Sequence, residues 1–114
     1  MTRRYLPGTL PRLAEEWERE GPGTQDAVVP KDEGEESEYA ALMTAADVSA
    51  ELVSGLPDGQ RRRVVVVAET ADAQGPVHWR DVVALHVDSD DDADPDDDLA
   101  WWATQEIGDL LSSL

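Results

Sequence analysis

The chain has no cysteine and only two histidines, and these absences narrow the chemistry it can perform. Without cysteine there is no disulfide, no thiolate nucleophile and no cysteine-ligated zinc or iron–sulfur cluster. His78 and His86 are the only imidazoles from which a catalytic triad or a histidine-based metal site could be built. No nucleophile elbow, phosphate-binding loop, zinc-protease motif or dinucleotide-binding motif occurs. The sequence therefore predicts no cofactor and no metal, and it favours a protein that is not an enzyme.

Basic residues are scarce as well. The chain has 114 residues, with 26 acidic against 9 basic side chains and a formal net charge of −17. Such a surface repels phosphate groups, which argues against direct nucleic-acid binding and against an anionic membrane surface. No apolar run is long enough to cross a bilayer, and Arg3-Arg4 is followed by Tyr-Leu-Pro-Gly instead of an apolar signal-peptide core. We therefore expect a cytoplasmic protein.

Half of the acidic residues lie in two short segments, which we expect to be loops within one globular domain spanning residues 1–114. The first predicted loop covers residues 31–37, and the second, predicted to be flexible, covers residues 88–97. The acidic residues in and beside these loops are Asp32, Glu33, Glu35, Glu36, Glu38, Asp88, Asp90, Asp91, Asp92, Asp94, Asp96, Asp97 and Asp98. Arg61-Arg62-Arg63 stands at the entrance of a valine run, where we expect it to pair with one of the acidic loops.

Apolar spacing and turn residues predict a mixed α/β (α+β) fold. The predicted elements are a strand at 2–6, a helix capped by Thr9, a strand at 25–29, a helix at 37–54 capped by Ser37, strands at 63–68 and 82–87, and a helix at 98–114. This order, β-α-β-α-β-β-α, predicts a two-layer sandwich with a mixed sheet of about four strands and a C-terminal helix. Crossover connections would set neighbouring strands parallel.

Five short segments, spread over nearly the whole chain, match the signatures of one protein family. They are Tyr5-Leu6-Pro7 with Thr9-Leu10, Glu38-Tyr39-Ala40-Ala41-Leu42, Arg62-Arg63-Val64-Val65-Val66, Val83-Ala84-Leu85-His86-Val87-Asp88 and Trp101-Trp102-Ala103-Thr104-Gln105-Glu106. In these segments the chain resembles a small uncharacterised actinobacterial family, a domain of unknown function. The resemblance implies a bacterial cytoplasmic protein and brings no established activity with it.

Trp101 is the first candidate functional residue. On the predicted C-terminal helix it falls away from the apolar arc, so it would face solvent or a partner unless a second layer, such as the Trp79 loop, covers it. Exposed tryptophans are strong interface anchors. Our first hypothesis is a non-catalytic protein-interaction or regulatory module. In it Trp101, together with Asp90, Asp91 and Asp92, meets a basic partner protein.

Glu106 is the second candidate, because it falls inside the apolar arc of the same predicted helix. A carboxylate on a buried face needs a partner or a raised pKa. The structural interpretation is an ion pair with Arg63 or Arg80, or a hydrogen bond to Tyr5 or Tyr39. The functional alternative is a pocket for a small molecule, or a small active site, formed by Glu106, His86 and Tyr39.

The aspartate run at residues 88–98 suggests a third hypothesis, calcium binding. A calcium loop of the EF-hand type that began at Asp88 would need glycine at its sixth position and glutamate at its twelfth. The chain has Ala93 and Leu99 at those positions. Closely spaced carboxylates repel one another, so the pattern favours a solvated linker over a calcium loop.

Overall fold

The valine run forms the centre of the sheet. In the computed structural model, which describes residues 1–114, strand β2 (Val64–Thr70) pairs with β1 (Thr2–Gly8) on one side and with β3 (Val82–Val87) on the other. A fourth strand, β4 (Ala100–Ala103), pairs with β3. All pairings are antiparallel, and the strand order is β1-β2-β3-β4. A strand that is buried on both faces carries apolar residues without alternation, as β2 does.

Helices cover both faces of this sheet. Alternation along β2 sends Val64 and Val66 to one face and Val65 and Val67 to the other. The first face packs in one core with helices α1 (Leu10–Trp17) and α3 (Ile107–Ser112). The second face packs in a separate core with helix α2 (Glu35–Val53). The arrangement therefore has three layers, and the predicted two-layer sandwich is corrected.

Helix α1 begins as its sequence predicts. The Thr9 side chain accepts a hydrogen bond from the backbone N–H of Arg12 at 3.1 Å, which satisfies one of the free donors of the first turn. The helix ends at Trp17, whose ring meets that of Trp79 edge to face at a centroid distance of 4.8 Å. This contact closes the rim of the first core.

Helix α2 confirms the prediction of a helix at 37–54, although Gly34 takes the cap position that was assigned to Ser37. It approaches the sheet through small residues, Ala41, Ala45 and Ala46, all of which are buried. Farther along, the hydroxyl of the buried Ser49 donates to the carbonyl of Gly8 at 2.7 Å. The same hydroxyl accepts from the N–H of Val64 at 2.8 Å, so one side chain joins α2 to β1 and β2.

The predicted strand at 25–29 is wrong, and with it the parallel pairing. In this region only Val28 forms a β-bridge, an antiparallel one with Tyr5, through two hydrogen bonds of 2.9 Å. Asp26 has a φ of +59°, which turns the chain out of the extended conformation, and Pro30 lacks the N–H that a longer ladder would need.

The predicted helix at 98–114 is also wrong over its first half. Residues 100–103 form β4, and after a short 3₁₀ turn at Thr104–Glu106 only residues 107–112 are α-helical. Strand β3 offers a free edge, and β4 completes the sheet there. The hydroxyl of Thr104 donates to the carbonyl of Val82 at 2.8 Å and fixes the end of β4. The observed order of strands and α-helices is therefore β-α-α-β-β-β-α.

Candidate functional site

Trp101 is exposed because of its place in the sheet and not because of a helix face. It lies in β4 opposite His86 of β3, which in turn lies opposite Val65 of β2, so all three belong to the face that α2 covers. Helix α2 packs chiefly on β1 and β2, and Trp101 lies two strands beyond β2. Its relative exposure is 62%. The neighbouring Trp102 points to the opposite face and packs on the first core.

The segment between β3 and β4, residues 88–98, is named the acidic loop here, and it is built around Arg63. The Asp88 carboxylate accepts from Nε of Arg63 at 2.8 Å and from Nη2 at 2.9 Å, and it also accepts from the Arg63 backbone N–H. The remaining donors of the guanidinium reach the carbonyls of Asp94, Pro95 and Asp97 at 2.9–3.3 Å. Both side chains are almost fully buried, with exposures of 4% and 2%. The hydrogen bond with Asp88 raises the pKa of Arg63.

Arg61 fixes the outer part of the acidic loop. Its guanidinium binds both carboxylate oxygens of Asp92 at 2.8 Å and reaches Asp58 at 2.6 Å. These hydrogen bonds from Arg61 lower the pKa of Asp92. The Asp91 carboxylate accepts from the backbone N–H groups of Gly59 and Arg61. The expectation that the arginine triplet pairs with an acidic loop is confirmed for Arg61 and Arg63.

The rest of the acidic loop turns its charge to solvent. Asp90, Asp96 and Asp97 are exposed, and their carboxylates make no hydrogen bond or ion pair. Asp98 accepts a hydrogen bond of 3.1 Å from the hydroxyl of Tyr39, and this bond raises the pKa of Tyr39. Because β4 starts at Ala100, Trp101 follows the free carboxylates of Asp96 and Asp97 closely in the chain, whereas Asp90 lies near the start of the loop.

The predicted interaction residues therefore fall into two groups. Trp101 and Asp90 are exposed, and neither side chain makes a hydrogen bond or ion pair within the chain. Asp91 and Asp92 instead bind the segment at 58–61 and so hold the acidic loop to it. Asp96 and Asp97, which sequence reasoning did not select, have free carboxylates of the same kind. Charge alone does not show which aspartates of the loop bind inward and which stay free.

The residues of the predicted pocket do not share a described surface pocket. Glu106 is exposed, and its side chain accepts from the backbone N–H of Ala103 at 2.8 Å, which caps the turn before α3. The expected partners of Glu106 are engaged elsewhere or lie free, since Arg63 pairs with Asp88. His86 is partly buried, and burial lowers its pKa; its side chain makes no hydrogen bond. Tyr39 binds Asp98 instead. None of the five main pockets is lined by any of the three.

A comparison with protein-family models gives one match, which covers residues 2–111. The matched model describes a family of unknown function, DUF6912. The chain belongs to the DUF6912 family. None of the curated proteins and none of the solved structures compared with it shows significant similarity.

The DUF6912 chain has no cluster of metal ligands and no membrane-spanning helix. No group of three or more histidine, aspartate or glutamate side chains is arranged to hold a metal ion, because the aspartates of the acidic loop turn to arginines, backbone amides and solvent. None of its helices combines the length and the apolar character that a membrane crossing requires.

Proposed function

We propose that the DUF6912 chain is a non-catalytic protein-interaction module of the bacterial cytoplasm that binds a basic partner protein through Trp101 and the acidic loop. The bacterial and cytoplasmic setting rests on the resemblance of five segments to an actinobacterial family. The observation that carries the binding proposal is Trp101 itself, which is 62% exposed at the β4 end of the sheet face, beyond the part that α2 covers. Its exposure costs hydrophobic free energy that a bound partner would recover.

The charges beside Trp101 favour a cationic partner. The acidic loop keeps free carboxylates on Asp90, Asp96 and Asp97, within a chain whose formal net charge is −17. The negative electrostatic potential of these carboxylates accelerates the encounter with a basic protein and disfavours acidic proteins. An arginine or lysine placed over the Trp101 ring would add a cation–π contact. Arg61 and Arg63 hold the acidic loop in place, so the loop would lose little further conformational entropy on binding.

The ring of Trp101, and not the edge of β4, is the binding element in this proposal. Strand β4 has only four residues, and the N–H of Ala103 is already taken by the Glu106 side chain. A partner strand could therefore add few main-chain hydrogen bonds along this edge. Short and blocked edges are a common protection against unwanted strand pairing.

Affinity capture from an actinobacterial lysate tests the proposal, with the wild-type chain and Trp101→Ala as paired baits at low and high salt. The expected result is a basic protein that the wild type retains at low salt, that high salt releases, and that Trp101→Ala does not retain. Leu114→Ala is the matched control, because Leu114 is an apolar residue of equal exposure, 61%, elsewhere on the chain. A partner that Trp101→Ala retains as well as the wild type would contradict the proposal.

The charge component is tested by two double variants with the same change in net charge. Asp90→Asn with Asp96→Asn removes free carboxylates from the acidic loop, whereas Glu15→Gln with Glu18→Gln removes exposed ones at α1. We expect the first pair of substitutions to weaken capture more than the second, because the acidic loop leads into β4, whereas α1 packs on the opposite face of the sheet from Trp101. Equal weakening by both pairs would show that net charge alone, and not this loop, attracts the partner.

A further inference from the structure

Arg4 is a buried arginine without a counter-ion. It lies in β1 opposite Ala68 and is 2% exposed. Its Nη2 donates to the carbonyl of Gly75 at 3.1 Å, and no carboxylate lies within ion-pair distance. Its Nε and Nη1 atoms are buried and have no hydrogen-bond partner. The Nε and Nη1 atoms of the guanidinium thus keep unused N–H donors inside the protein.

The other buried arginine shows how unusual this arrangement is. Arg63 is buried to the same degree, yet its guanidinium meets the Asp88 carboxylate and three backbone carbonyls. The chain has 26 acidic residues, and none of them lies within ion-pair distance of the Arg4 guanidinium. Burying a charge without a partner lowers stability, so an arginine at this position is unfavourable for the fold alone. Such a group is a candidate for binding a ligand of opposite charge.

The carbonyl that Arg4 reaches belongs to a segment that few hydrogen bonds hold in place. Residues 71–76 are all exposed. Two hydrogen bonds tie them to the rest of the chain: the one from Arg4 to Gly75 and one from the Thr70 hydroxyl to the carbonyl of Asp72. The same segment lines a surface depression of about 550 Å³ with Asp72, Ala73, Gln74 and Gly75. Outward movement of this segment would release the Nη2 donor of Arg4 at small cost.

We propose that Arg4 binds the carboxylate of a small molecule when the 71–76 segment moves outward. A guanidinium with free donors forms charge-assisted hydrogen bonds with carboxylate and phosphate oxygens alike. One carboxylate neutralises one guanidinium, whereas a phosphate dianion would leave an uncompensated negative charge inside a chain of net charge −17. The charge balance therefore selects a monovalent carboxylate. The burial of Arg4, which is 2% exposed, selects a small ligand.

Thermal unfolding of the wild type, Arg4→Met and Arg80→Met in sodium acetate, sodium phosphate and sodium chloride of equal ionic strength tests the proposal. The rise in Tm that the wild type shows and Arg4→Met lacks should grow with acetate concentration until saturation, and it should be smaller for phosphate. Arg4→Met should melt above the wild type in chloride, because the unpaired buried charge is gone, and it should not respond to acetate. Arg80, which is exposed and unpaired, is the charge control and should leave the acetate response unchanged.

Three outcomes would overturn this assignment. They are an equal acetate response in the wild type and Arg4→Met, a Tm of Arg4→Met below that of the wild type in chloride, and a phosphate response lost in Arg4→Met that exceeds the acetate response lost in Arg4→Met. If Arg4→Met does not fold, saturation-transfer NMR of acetate with the wild type and Arg4→Lys replaces the melts. Transfer to the wild type and its weakening in Arg4→Lys, which lacks the forked donors, are then expected. No transfer to the wild type would contradict the proposal.

Discussion

Asp88→Asn should be one of the most destabilising single substitutions in this chain. The carboxylate is 2% exposed and carries the only negative charge bound directly to the buried Arg63 side chain. The amide of asparagine is neutral, so the guanidinium would stay buried without a counter-ion. Removal of one partner from a buried pair costs about 3–5 kcal/mol, a large share of the roughly 5–15 kcal/mol that stabilises a typical domain. For a chain of this length the Tm should fall by about 12–20 °C.

Urea unfolding at neutral pH, followed by tryptophan fluorescence and circular dichroism, measures this loss. Asp92→Asn is the matched control, since it makes the same chemical change in the exposed pair with Arg61 and should have a much smaller effect. A double-mutant cycle with Arg63→Met should give a coupling energy of about 1–3 kcal/mol. If Asp88→Asn were no more destabilising than Asp92→Asn, the account of the acidic loop as a segment held by a buried ion pair would be refuted.

Two further predictions concern the core and the sheet. Ser49→Ala leaves the buried carbonyl of Gly8 and the N–H of Val64 without their partner, so the free energy of unfolding should fall by about 1–3 kcal/mol in the urea titration. The control is Ser54→Ala at an exposed serine, which should change the free energy of unfolding by less than about 0.5 kcal/mol. Burial lowers the pKa of His86, so the unfolded chain takes up its proton first and stability is lost as the pH falls from about 6.5 toward that lower pKa. His86→Gln should lose less stability than the wild type over this interval in unfolding measurements, and an equal loss would show that His86 does not contribute.

Much of the fold was predictable where local signals and tertiary contacts agree. Thr9 caps α1, helix α2 covers nearly the predicted range, and the apolar strand at 82–87 is observed with the predicted bounds. The prediction of a helix at 98–114 failed because the apolar residues of this region repeat with a spacing that also fits a helix. They are Leu99, Trp102, Ile107 and Leu110. A short apolar run does not distinguish a helix from a strand. Residues 100–103 form a strand because they pair with the free edge of β3.

The candidate site was predictable in part, for a similar reason. A helical wheel left Trp101 either exposed or covered by a second layer, and it is exposed, but through the alternation of a strand and not through a helix face. Glu106 was expected in an apolar arc that does not exist, and it caps a turn at the surface. Charge pattern predicted that the arginines pair with an acidic loop. It could not show that Asp91 and Asp92 bind inward while Asp90 stays free, because that depends on loop geometry.

The indole N–H signals of the four tryptophans in a ¹⁵N-labelled sample provide the most direct test of the proposed surface. Trp101 is exposed, whereas Trp17, Trp79 and Trp102 pack against the first core. On titration with an arginine-rich peptide at low salt, the Trp101 signal should shift, the other three should stay in place, and added salt should reverse the shift. An unchanged Trp101 signal, or equal shifts of all four, would contradict the proposal that Trp101 and the acidic loop bind a basic partner.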